Sequence, residues 1–80
     1  MSVTVLLFAS YADALGATSL SVTLPSDATV ADLLAELRAR PGAGRLPPSP
    51  LVAVNLCYAT PSTVVREGDE VAVIPPVAGG

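Results

Sequence analysis

Histidine and lysine are absent from this 80-residue chain, cysteine occurs once, and charged residues make up only 14% of it. Each absence removes a class of function. With no imidazole and a single thiol, Cys57, a transition-metal centre would have almost no soft ligands. Nor is there a histidine to activate Cys57 as a nucleophile, so it reads as a turn or strand-edge thiol. All four basic residues are arginines (Arg38, Arg40, Arg45 and Arg66) and the net charge is −3. With no basic stripe to neutralise phosphates, nucleic-acid binding is not expected. The longest charge-free run, residues 46–65, is broken by Pro47, Pro48, Pro50 and Pro61. That falls short of the roughly 20 continuous apolar residues of a membrane span. No Lys or Arg precedes the apolar residues 3–9, so they do not read as a signal peptide. A cytoplasmic location is expected, and a lone cysteine agrees with a reducing compartment.

What the chain does have is apolar surface. Hydrophobic residues are 51% of the total, yet a domain this small buries only about 60% of the surface its unfolded chain exposes. Some apolar side chains must stay outside, and contiguous exposed apolar surface marks a protein partner.

Residues 3–8 (VTVLLF) read as a strand, and residues 10–16 as a connection turning at Gly16. Residues 19–24 (SLSVTL) alternate polar and apolar, a strand with one wet face, ended by Pro25. Thr29 sits three residues before Asp32, a capping-box start with Asp in place of Glu. Val30, Leu33, Leu34 and Leu37 then follow at helical spacing through about Arg40. Residues 41–50 hold too much Pro and Gly for regular structure. Residues 51–54 (LVAV) are a third strand, with Asn55 suited to a left-handed turn after it. A short extended piece is expected over residues 63–65. Glu67-Gly68-Asp69 reads as a turn rather than a metal site, and residues 70–74 (EVAVI) are the last strand. No metal site is expected.

One helical stripe can cover one face of one sheet, which predicts a two-layer α+β domain over residues 1–75. The order of elements is that of the β-grasp, or ubiquitin-like, fold: a mixed sheet of four or five strands packed on one main helix. Side chains alternate along a strand, so Val3, Val5 and Leu7 share one face while Leu6 and Phe8 share the other. In the last strand Val71 and Val73 oppose Ala72 and Ile74. If the helix covers the β-branched faces, Phe8 and Ile74 form an open apolar patch at the root of the C-terminal segment.

That segment, residues 76–80, continues the last strand through Pro75-Pro76-Val77-Ala78-Gly79-Gly80. Two prolines favour an extended path, and five residues from Pro76 reach roughly 15–18 Å. Gly79 and Gly80 carry no Cβ, so the tip suits a narrow channel. It is expected as a tail that presents the Gly80 carboxylate inside another protein's active site.

Over the whole chain, the sequence resembles the small, sulfur-carrying subunits of molybdopterin synthase. The GDEV and PPVAGG stretches of residues 68–80 are the specific signal. The strand of residues 5–9, the Thr29-Val30 helix entry and Val54-Asn55 agree with it. The resemblance implies that Gly80 is adenylated by a ubiquitin-activating-like adenylyltransferase using ATP, and converted to a thiocarboxylate with sulfur from a donor protein. The tail, Pro76 to Gly79, then inserts into the large subunit, where sulfur passes to a pterin precursor. Phe8, Tyr58 and Ile74 are the implied partner interface, Tyr58 because it falls where family members place an apolar partner-facing residue. Catalysis is thereby implied for the partners, and no cofactor for the chain itself. An ionised carboxylate resists nucleophiles, so activation is needed; this chain has no phosphate-binding loop with which to supply it. Three alternatives stay open: a carrier for thiazole or cysteine synthesis, a ubiquitin-like protein modifier, and a plain interaction domain. The absence of lysine excludes chains built through the protein's own side-chain amines.

Overall fold

A computed structural model describes residues 1–46 and 50–75, with Arg45 described by its main chain only. The elements are β1 (Ser2–Leu7), α1 (Ala9–Leu15), β2 (Ser19–Thr23), α2 (Val30–Arg38), a 3-10 turn (Ala43–Arg45), β3 (Leu51–Val54), β4 (Cys57–Tyr58) and β5 (Glu70–Ile74). Five strands form one sheet in the order β2-β1-β5-β3-β4. The first and last strands pair in parallel at its centre, and the other pairings are antiparallel. This is the β-grasp arrangement expected from the sequence.

Capping chemistry starts α2 where the sequence placed it. The Thr29 amide donates to Asp32 Oδ2 at 2.8 Å, and the Asp32 amide donates back to Thr29 Oγ1 at 3.4 Å. Two otherwise orphaned amides are thereby satisfied. Val30, Leu33, Leu34 and Leu37 are buried along one side of the helix. They meet Val3, Val5 and Leu7 of β1 and Val71 and Val73 of β5 in one core cluster. Each such side chain contributes about 1.5–3 kcal/mol when fully buried.

Three elements differ from the sequence reading. Residues 10–16, read as a connection, are mostly taken up by the seven-residue helix α1, which begins one residue earlier at Ala9. Its helicity comes from packing: Tyr11 is buried in the core, with Ala12 and Leu15 packed against it. Gly16 does make the turn, as a left-handed cap at φ 74°. Within residues 41–50, read as irregular, Ala43–Arg45 form the 3-10 turn, and Ala43 and Leu46 join the core. Gly42 permits this close approach. It sits at φ 87°, and a Cβ there would run into the carbonyl oxygen of Ala14. The short fourth strand is Cys57–Tyr58, not residues 63–65, where Thr29 and Val64 form only an isolated bridge.

Candidate functional site: the open face of the sheet

Both helices and the 3-10 turn feed the single core cluster, so they lie on the same side of the sheet. Among the described residues, no element covers its other face. Strand register shows which residues share that face, because directly paired residues point the same way. Leu6 pairs with Ala72, Ala72 with Ala53, and Ala53 with Tyr58, giving one row across four strands. One step toward the end of β5, Ile74 pairs with Leu51. Phe8 continues β1 in extended backbone (φ −127°, ψ 151°), which brings it alongside Ile74.

The three interface residues named from the sequence therefore share this face. Phe8 is 47% exposed, Tyr58 76% exposed, and Ile74 partly buried. Leu51, also exposed, joins them although the sequence reading did not single it out. The alternation within β3 separates Leu51 and Ala53 from Val52 and Val54. The missing signal was the register that sets Leu51 opposite Ile74. Toward the start of β1 the face turns polar, with Thr4 paired to Ser21 and to Glu70. The apolar part thus lies at the end where β5 runs into Pro75. The predicted tail residues Pro76, Val77, Ala78, Gly79 and Gly80 lie outside the described residues.

Elsewhere the structure offers little chemistry. An apolar groove of about 360 Å³ runs between α2 and β3, lined by Leu34, Ala35, Arg38, Pro50, Val52 and Ala59 among others. No nucleophile or acid–base pair lines it. The Arg38 guanidinium donates to the Leu46 carbonyl at 3.4 Å. Cys57 is an exposed free thiol at the sheet's edge. Asp69 works as a turn-former: its Oδ2 accepts from the Arg66 amide at 2.8 Å and its Oδ1 from the Asn55 side chain at 3.0 Å. Among the described residues no group of three His, Cys, Asp or Glu side chains is placed to hold a metal ion. No helix among them is long and apolar enough to cross a membrane.

The ThiS family model matches residues 5–80, nearly the whole chain. The chain belongs to the ThiS family. Among similar family members, the molybdopterin synthase sulfur carrier subunit of Arabidopsis thaliana is 35% identical over 81 residues, covering all of this chain and 84% of that protein. The protein of the same name in Chlamydomonas reinhardtii is 34% identical over 83 residues, covering both in full. Among solved structures, that of SAMP1 (small archaeal modifier protein 1) from Haloferax volcanii superposes with a TM-score of 0.86 at 32% identity, again over both chains in full. The ubiquitin-like fold read from the order of elements is therefore shared with solved proteins of related sequence.

Proposed function

We propose that this chain is the sulfur carrier of molybdopterin synthase, its small subunit, and that Gly80 is the atom-bearing end. The observation that carries this reading is the PPVAGG stretch, which follows the central strand β5 in sequence, β5 itself bordering an apolar face that no described element covers. Relatives that bear the name molybdopterin synthase sulfur carrier subunit at 34% and 35% identity support it. In the proposed cycle an adenylyltransferase partner joins the Gly80 carboxylate to the α-phosphate of ATP and releases pyrophosphate. Sulfur from a donor protein, delivered at the oxidation level of sulfide, attacks the acyl carbon. A C–S bond forms, the C–O bond to AMP breaks, and a thiocarboxylate remains. The open face docks on the large subunit through Phe8, Tyr58 and Ile74 while residues 76–80 enter its active site. Catalysis belongs to the partners, and their use of ATP is consistent with a cytoplasmic setting.

The test is the intact mass after incubation with the adenylyltransferase, ATP and a sulfur donor. Exchange of one oxygen for sulfur adds about sixteen mass units at the terminal residue, whose carboxylate is otherwise ionised and inert at neutral pH. Deleting Gly80 should abolish the gain while leaving thermal stability within about 0.5 kcal/mol. Sulfur-transfer activity retained by the truncated chain would sink the reading. The likeness to SAMP1 favours one second reading, a protein modifier. It predicts covalent adducts on lysines of other proteins in the same incubation, where the carrier reading predicts the thiocarboxylate alone.

A further inference from the structure

The turn between β3 and β4 breaks a backbone rule. Val54 pairs with Cys57, leaving Asn55 and Leu56 as a two-residue loop. Both sit at positive φ, 49° and 72°, the type I′ arrangement that favours Asn-Gly. Asn55 fits that rule and is held firmly. Its amide side chain donates to Asp69 Oδ1 at 3.0 Å and its Oδ1 accepts from the Glu70 amide at 3.0 Å. Its backbone amide donates to the Glu70 carbonyl at 2.8 Å. Leu56 does not fit. A leucine in the left-handed region is strained, and at 93% exposure its side chain buries almost nothing in return. Among the described residues nothing compensates for it, and residues of that kind belong to functional surfaces more often than to scaffolds.

We propose that Leu56 is an anchor for the protein that receives the C-terminal tail, an inference that rests on the carrier reading. A stable complex buries about 800 Å² on each partner. The five-stranded open face measures only about 24 by 17 Å, or about 400 Å², at about 4.8 Å per strand and about 3.3 Å per residue. The inserted tail supplies part of the difference, and surface past one margin of the face is the other source. At the β2 margin a partner would meet the exposed hydroxyl side chains of Ser19, Ser21 and Thr23. At the β3–β4 margin the apolar surface continues through Leu51 and Tyr58, and Leu56 lies two residues from Tyr58 on the same hairpin. The Asn55 bonds tie this hairpin to β5, the strand that leads into the tail. Leu56 and the tail's root are therefore presented by one rigid sheet, which lowers the ordering cost of binding both.

The test compares the full-length wild-type chain with Leu56→Gly and Leu56→Met. Leu56→Gly restores the favoured turn, so its melting temperature should rise by about 2–6 °C. Its affinity for the large subunit should nevertheless fall at least about tenfold, with sulfur loading at Gly80 unchanged. Leu56→Met keeps an apolar side chain and should hold the affinity within about threefold of wild type. Unchanged affinity in Leu56→Gly overturns the proposal, and so does a lowered melting temperature, which would make the leucine structural. A wild-type chain that loads sulfur but does not bind the large subunit overturns it while leaving sulfur carriage intact. A wild-type chain that never loads overturns both.

Discussion

Leu7 and Phe8 are neighbours in sequence and lie on opposite faces of one sheet, the first 2% exposed and the second 47%. The same contrast holds along β5, where Val71 and Val73 are buried while Ala72 and Ile74 are only partly covered. Both faces are apolar at this end of the sheet, so hydrophobicity alone does not separate them. The difference is what lies above: α1, α2 and the 3-10 turn on one side, and no element of the described chain on the other. One face has spent its apolar surface on folding, and the other leaves it exposed.

Three substitutions probe that contrast, beginning with the largest effect. Leu7→Ala removes a buried side chain and leaves a cavity, and should cost about 2–5 kcal/mol in denaturant-monitored unfolding. A loss below about 1 kcal/mol would mean that the covered face is not a packed core. Gly42→Ala should cost about 1–2 kcal/mol from the left-handed backbone alone, with more from the collision with Ala14. A variant as stable as wild type would show that the segment joining α2 to β3 is not pinned against α1. Phe8→Ala should cost less than about 1 kcal/mol of stability, since the side chain is already half in water. It should weaken binding to the large subunit by about tenfold or more, equivalent to about 1.4 kcal/mol. A large stability loss with unchanged affinity would place Phe8 in the core and dissolve the distinction between the faces.

The parts legible in the sequence were those where local pattern and packing agree. Alternation located β2, short apolar β-branched runs located β1 and β5, side-chain parity divided the faces of those two, and Thr29 with Asp32 announced α2. The start of α1 was hidden because the chain turns into it at Ala9, φ 47°, where no Gly or Asn signals a left-handed residue. A helix that short, with no side-chain cap and no acidic residue in its first turn, depends on the burial of Tyr11 rather than on propensity. β4 was hidden by its length of two residues. At the candidate site, Phe8, Tyr58 and Ile74 could be named in advance. Leu51 and Leu56 could not, since one depends on cross-strand register and the other on a strained turn with the wrong residue for its geometry.

The position of β5 has a mechanical consequence. A last strand at the edge of a sheet can be peeled away one hydrogen bond at a time. β5 is flanked by β1 and β3 over most of its length, so a pull on Pro75 along the strand loads both ladders together, in shear. Local opening is cheapest where few bonds and contacts are shared, and this strand is bonded along both of its sides. In the proposed complex, a partner can therefore draw the terminal residues taut without unravelling the domain.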